Sequence, residues 1–174
     1  MSIDWASAIA GMGIPAFHMT DFEARVPPYK DWTNPVRQAR LNVLLDIIGA
    51  AKPYCVGFTN WVRPGEDTAD IYKRCAEDVL LELGRYEDDF AIVFAHHPEF
   101  NRHSLLIDAM LNHGMGKQIR SCTVARSADV CALQVADIVA YEICREEREI
   151  GIRRYPLQRL SALGCTFRFS NAIE

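Results

Sequence analysis

VCALQVADIVAYEICREERE, residues Val130 to Glu149, is a long helix-forming stretch that is apolar on nearly every side. Between Val130 and Cys144 its strongly polar side chains are Gln134, Asp137 and Glu142. A helix with apolar residues on most faces belongs inside a protein, packed on several sides. The stretch therefore predicts an interior helix, and the rest of the chain is expected to pack around it.

Asp137 is out of place on such a helix. It shares one helical face with Gln134 and Tyr141, because the three follow an i, i+3, i+7 spacing. A buried carboxylate costs several kcal/mol, or takes up a proton, unless it meets a cation, hydrogen-bond donors or water. Asp137 is therefore the best candidate for chemistry. The alternative is structural: it caps a neighbouring loop or pairs with an arginine.

Composition limits the class of protein. With 174 residues, the chain is expected to form a single domain over residues 1–174. Hydrophobic residues make up 49% and charged residues 24%, as in ordinary globular proteins. The net charge of -4 gives no general reason to expect a nucleic-acid surface. A local basic patch would suffice, and several arginines come late in the chain: Arg120, Arg126, Arg145, Arg148, Arg153 and Arg154.

The cysteines and the apolar runs indicate a compartment. None of the six cysteines forms a C-x-x-C pair, and most lie in apolar runs, which predicts reduced thiols. No charged-then-apolar leader opens the chain, and its apolar runs are too often interrupted to span a bilayer. These features predict a cytoplasmic protein that is neither secreted nor embedded in a membrane.

Strand and helix patterns alternate along the chain, which predicts an α/β sandwich or a three-layer sheet. Asp89 to Ala95 is predicted to be a central strand buried on both faces. The helix from Asn34 to Gly49 is expected to pack against a sheet through Val36 and its leucines. Further helices are predicted at 2–11, 68–84, 101–113 and 156–163, and further strands at 16–19, 54–60, 118–125 and 165–169.

Histidines follow the predicted central strand, where open α/β sheets hold their sites. His96, His97 and His103 suggest a zinc enzyme, but their spacing matches no zinc signature, and Pro98 interrupts any helix there. Hydrogen-bonded loop histidines are the favoured interpretation. A cysteine nucleophile is a weaker alternative, with Cys131 as its best candidate.

Polar residues also cluster where the strand predicted at 16–19 leads into a loop. His18, Asp21 and Glu23 lie there, and two carboxylates one residue apart can bridge a hard divalent cation. An Asp after Thr is also a routine helix cap, so the residues leave both interpretations open.

Two motifs resemble domain-of-unknown-function family 3800, a large bacterial and phage family. They are FHMTDFEAR at Phe17 to Arg25 and LQVADIVAYE at Leu133 to Glu142. The strand Phe90 to Phe94 and the turn RSADVCALQ fall at matching places between them. The resemblance implies a ribonuclease-H-like mixed sheet flanked by helices, and a divalent-metal-dependent nuclease or phosphodiesterase activity.

The resemblance also implies roles for individual residues. Asp137 would hold Mg²⁺ or Mn²⁺ together with Asp21 or Glu23. Gln134 and His18 would act beside Asp137 as catalytic residues that orient water or phosphate. Binding of the substrate would fall to three further residues: Arg126, His96 and Tyr141.

The chain departs from the family pattern in ways that favour a degenerate site. It opens on a helix and lacks the usual first strand with its D-E/D-S-G motif, so the fold is expected to be N-terminally shortened. Ala95 and His96 stand where a Glu is common, and Arg126 stands where an Asp is common. Whether the chain is an enzyme is therefore open.

The alternative function is a non-catalytic assembly module that binds nucleic acid or protein. A shortened sheet would expose an edge, which a second copy or another protein would cover. Trp5 and Ile9 of the first helix are expected to contribute to that contact, together with the apolar C-terminal arm.

Overall fold

The chain is a mixed α/β protein. The structure is a computed structural model that describes residues 2–59, 64–96, 119–148 and 154–171. A short 3-10 turn, Ser127–Asp129, precedes the helix that begins at Cys131. The helices are α1 Ser2–Met12, α2 Met19–Ala24, α3 Asn34–Ala51, α4 Thr68–Leu83, α5 Cys131–Arg148 and α6 Tyr155–Ala162, and the strands are β1 Tyr54–Thr59, β2 Phe90–Ala95, β3 Ile119–Ala125 and β4 Thr166–Asn171.

The chain divides into two compact units. Unit 1 comprises Met1–Cys55 with Ser127–Arg168, and unit 2 comprises Val56–Arg126 with Phe169–Glu174. Strand β1 pairs with β4, and β2 pairs with β3. That residues 1–174 form a single domain with a ribonuclease-H-like sheet stays a prediction.

Unit 1 is built around packed helices. Predicted helix α5 is present, and it buries Val135, Ile138, Val139 and Ile143. Trp5 and Ile9 of α1 are also buried in this unit, at 1% and 7% exposure. The prediction that they cover an exposed sheet edge is therefore wrong, because these side chains are already used in the core of their own unit.

Helix α3 packs against α1 and α6 in unit 1. Its buried residues include the predicted Leu41, Leu44, Leu45 and Ile48, but Val36 is exposed. The inward orientation predicted for Val36 is wrong. The helix turns its leucines toward other helices, and Val36 falls on the opposite side.

Close contact between α3 and α6 depends on a glycine. A β-carbon built at Gly49 would lie 2.5 Å from Cδ1 of Leu163, at the end of α6. Any larger residue at position 49 would push the two helices apart. This contact also explains a glycine within the helix, where it normally lowers stability.

The segment before α2 is not the strand that the sequence predicts for residues 16–19. Residues 16–18 are irregular, and α2 begins at Met19. Asp21 and Glu23 therefore lie on a helix rather than on a loop. The irregular segment obtains its hydrogen bonds from side chains of other elements, and so needs no neighbouring strand.

Unit 2 contains helix α4 and the parallel pair β2 and β3. Asp67 and Asp70 form a capping box at the start of α4, which confirms the predicted helix. Leu80 of α4 is buried against Leu83, and the strand residues packed on it are Ile92, Ile119 and Cys122. This cluster fixes one face of the sheet.

The prediction that β2 is buried on both faces is wrong for the described residues. Burial alternates along the strand, and Val93 is 38% exposed. The sequence FAIVFA is apolar throughout, so its composition does not distinguish the two faces of the strand. Ala91 and Ala95 are small apolar residues that lie on the exposed face. The helix predicted at 101–113 and the candidate zinc ligands His97 and His103 lie outside the described residues.

Two predictions about chemical environment can be compared with the structure. All six cysteines are free, as predicted: Cys55, Cys75, Cys122, Cys131, Cys144 and Cys165. In the described ranges, no helix is long and apolar enough to cross a membrane.

Candidate functional site

Gln134 connects three separate segments of unit 1. Its Oε1 accepts hydrogen bonds from Trp5 Nε1 at 3.1 Å and from the Phe17 backbone N–H at 2.8 Å. Its Nε2 donates to the Ser127 carbonyl at 2.9 Å. The side chain is only 3% exposed. The amide oxygen therefore satisfies buried donors on α1 and on the segment before α2. The amide nitrogen satisfies a carbonyl on the turn before α5.

Asp137 lies one helical turn further along α5 and contacts the start of α2. Its Oδ2 accepts a 2.7 Å hydrogen bond from the Met19 backbone N–H, the first residue of α2. His18, at the N-cap position of α2, makes no capping bond with its own side chain. The Asp137 carboxylate takes over that role from another helix, which agrees with the capping interpretation of the sequence.

Tyr29 fixes the same segment from the other side. Its hydroxyl accepts a hydrogen bond from the His18 backbone N–H at 3.0 Å and donates to the Ala16 carbonyl at 3.1 Å. Burial raises the pKa of Tyr29, the His18 hydrogen bond lowers it, and the charges of Asp21 and Asp137 raise it. The two carboxylates are therefore both close enough to influence one hydroxyl.

An aromatic cluster surrounds Tyr29. The ring of Tyr29 meets those of Phe17 and Phe22 edge-on, with both pairs of centroids 5.7 Å apart, and that of Trp32 at 5.2 Å. Edge-to-face pairs of this kind add to the stability gained from burial. The segment that carries HMTDF is thus held by packing as well as by hydrogen bonds.

The imidazole of His18 contacts Ser127, which is not among the predicted site residues. Its Nε2 lies 3.2 Å from Oγ of Ser127, within hydrogen-bond distance. Ser127 begins the 3-10 turn before α5, and the one sequence signal is a small hydroxyl residue at a turn. The contact joins the His18 segment to that turn, and both side chains are half-buried.

The two carboxylates of α2 have different surroundings. Glu23 lies 3.7 Å from the guanidinium of Arg37, which packs over the ring of Phe22 at 4.4 Å. Asp21 is half-buried near Tyr29. Across the described ranges, no three His, Cys, Asp or Glu side chains are grouped so that they could hold a metal ion.

A second acid on α5, Glu142, is more deeply buried than Asp137. It is 0% exposed, and its Oε2 accepts a 2.7 Å hydrogen bond from Nε of Arg154, at the N-cap of α6. Its other oxygen, Oε1, is buried with no hydrogen-bond partner. Burial raises the pKa of Glu142, whereas the hydrogen bond and charge of Arg154 lower it. The sequence signal was a charged residue within an otherwise apolar run.

The residues predicted to bind substrate are divided between the units. Tyr141 is half-buried on α5 in unit 1. His96 and Arg126 follow β2 and β3 in unit 2, and both are exposed. The His96 backbone N–H donates to the Ala125 carbonyl at 2.7 Å, so these two residues share the carboxyl edge of the parallel pair.

Comparison with known protein families, with curated proteins and with solved structures finds no match to this chain. The resemblance carried by the two motifs stays a prediction. The function is therefore inferred from the contacts of the residues themselves.

Proposed function

We propose that this chain is a non-catalytic assembly module that binds protein and uses its motif residues to hold its own fold. One observation carries the proposal: Gln134 and Asp137 both accept hydrogen bonds from the backbone of residues 17–19. These are the two residues on which a catalytic interpretation depends most. Their donors are permanent parts of the chain, so the bonds serve packing whether or not a ligand is present.

The arrangement of acids supports the same proposal. Metal-assisted phosphoryl transfer needs several carboxylates that hold cations, in two-metal sites about 4 Å apart. In the part of the chain that the structure describes, no such group of three ligands is formed. Glu23 is paired with Arg37, and one oxygen of Asp137 is taken by Met19. The described residues do not fit a metal pair.

Protein is favoured over nucleic acid as the partner because many arginines face carboxylates. A nucleic-acid surface needs basic side chains that are available to phosphates. Six arginines of the described ranges have acidic partners, namely Arg37 with Glu23, Arg74 with Glu66, Arg85 with Glu82, Arg120 with Asp89, Arg154 with Glu142 and Arg159 with Asp46. Together with the net charge of -4, this pairing reduces the positive charge that the described residues offer to phosphates.

The mass of the purified chain in solution tests the proposal. An assembly module should sediment or scatter light as a species larger than the 19.7 kDa chain, or should acquire a protein partner in stoichiometric amount. A pure monomer that hydrolyses a phosphodiester with Mn²⁺, and loses that activity in Asp137→Asn, would contradict it.

A metal-dependent phosphodiesterase is the second candidate. It is favoured by the closeness of Asp21 and Asp137 to Tyr29, since the charges of both acids raise the pKa of that hydroxyl. If this candidate is right, Asp21→Asn and Asp137→Asn should each abolish Mn²⁺-dependent cleavage of a generic phosphodiester. The surface variant Asp88→Asn is the matched control and should leave cleavage unchanged.

A further inference from the structure

Helix α3 is apolar on two opposite sides. One side carries the leucines buried in unit 1, at Leu41, Leu44 and Leu45. We call the other side the outer face of α3, and it consists of Val36, Ala39, Val43, Ile47 and Ala50. A helix on the surface of a protein normally carries polar residues there. The outer face therefore departs from the pattern expected of a helix that water covers.

The outer face is an exposed stripe with regular spacing. Its five residues recur at intervals of three and four, so they follow one side of the helix for about four turns. Val43 is 47% exposed and Val36 is 39% exposed, while Ile47 is half-buried. Val43, Ile47 and Ala50 also line a groove of about 560 Å³ beside α1. Helices that pair in coiled coils contact each other through apolar residues at such intervals of three and four.

The charges that flank the outer face are already used within unit 1. On one side, Asp46 accepts a 2.6 Å hydrogen bond from Arg159 of α6. On the other side, the Arg40 guanidinium packs 4.0 Å from the ring of Trp32 and donates to the Met12 carbonyl. Asp46 and Arg40 can therefore keep these contacts within their own chain when a partner covers the stripe.

The stripe is complementary to itself when a second copy runs antiparallel. With Val43 on the two-fold axis, Val36 meets Ala50 of the second copy, and Ala39 meets Ile47. A larger side chain faces a smaller one at these two levels, as interlocking helices require. A two-fold axis also repeats each contact, so one favourable pairing counts twice. None of the five residues is charged, so the face does not require a partner of opposite charge.

We propose that two copies of this chain pair through the outer faces of their α3 helices, antiparallel and centred on Val43. This inference rests on the proposed assembly function and names the partner, which is a second copy. The contact from Val36 to Ala50 extends for about 21 Å along the helix axis. Other exposed apolar residues lie close by in the sequence or in contact with α3: Ile3, next to the groove residue Asp4, and Tyr155, whose hydroxyl donates to Asn42.

Cysteine cross-linking of the full chain tests this geometry. Val43→Cys should form a covalent dimer with itself under mild oxidation, because the two thiols would meet at the axis within disulfide distance. Val36→Cys alone should not cross-link above the level of the native chain, which carries six cysteines of its own. Val36→Cys mixed with Ala50→Cys should cross-link, since the inference makes these positions neighbours.

A charge on the axis gives an independent readout. Val43→Glu should weaken dimerisation at least tenfold in sedimentation equilibrium, because two carboxylates would meet. Leu81→Glu is the matched control, an aliphatic residue of α4 that is also 50% exposed, and it should leave dimerisation unchanged.

The outcomes separate this inference from the assembly function. If the chain assembles but Val43→Cys does not cross-link, the α3 contact is overturned and the assembly function stands. The same conclusion follows if Val43→Glu associates as tightly as the native chain. A chain that stays monomeric up to high micromolar concentration and binds no other protein overturns both.

Discussion

Helix α5 fastens two neighbouring parts of unit 1 by different means. At the first place, which we call the α2 junction, Gln134 and Asp137 accept backbone N–H groups from residues 17–19. At the second, the α6 junction, the fully buried Glu142 pairs with Arg154. At the first junction, backbone N–H groups donate to side-chain oxygens of α5. At the second, a carboxylate that is isolated from water pairs with a guanidinium that is partly exposed. Both show that polar residues on an interior helix can be structural attachments.

The largest effect is expected when the α6 junction loses its cation. Arg154→Met would leave the Glu142 carboxylate buried without its partner, which typically costs about 3–5 kcal/mol. Denaturant unfolding of the full chain measures this loss. Arg159→Met, which removes the partner of the exposed Asp46, is the control and should change stability little. Equal losses in the two variants would show that Glu142 is not isolated from water.

The α2 junction should respond next. Gln134→Ala leaves the buried donors Trp5 Nε1 and Phe17 N–H without an acceptor, at a cost of about 2–4 kcal/mol in total. Adding Trp5→Phe removes one of these donors, so the two substitutions should cost less together than their sum. Strict additivity in a double-mutant cycle would contradict the contact between Trp5 and Gln134.

The contribution of the α6 junction to stability should depend on pH. Burial raises the pKa of Glu142 above its ordinary value of 4.5, although Arg154 opposes the rise. A raised folded pKa means that the native state holds this proton more tightly, so the contribution of Glu142 to stability falls as pH increases from about 4.5. Relative to the native chain, Glu142→Gln should therefore gain stability between acid and neutral pH. Parallel stability curves for the two proteins would contradict this.

The smallest effect is expected at Asp137. In Asp137→Asn the side-chain oxygen still accepts the Met19 N–H, so stability should fall by less than about 1 kcal/mol. Asp137→Ala removes the acceptor and should cost about 1–2 kcal/mol. A larger loss in the asparagine variant than in the alanine variant would show that the negative charge, rather than the hydrogen bond, is what matters.

Helices with strong periodicity could be predicted from the sequence. The capping box at Asp67 and the apolar spacing of Leu44 and Ile48 each depend on local physics, and the structure contains both helices. The outward position of Val36 could not be predicted, because α3 is apolar on both sides and spacing alone does not say which side is buried.

The candidate site shows what local patterns leave out. Gln134 and Asp137 were found because polar residues stand out on an apolar helix. Their partners, Phe17 and Met19, lie more than 100 residues away in sequence. Local sequence patterns do not predict contacts at that separation. Residues 16–19 were predicted as a strand because they are apolar, while their hydrogen bonds go to side chains.

Thermal unfolding of the native chain and of Asp137→Asn, each with EDTA, Mn²⁺ and Mg²⁺, tests most directly whether the motif acids are structural. The proposed role predicts the same Tm with and without metal in both proteins, and a small, metal-independent decrease in Asp137→Asn. A Tm that rises with Mn²⁺ or Mg²⁺ in the native chain and does not rise in Asp137→Asn would contradict it, because Asp137 would then bind the metal.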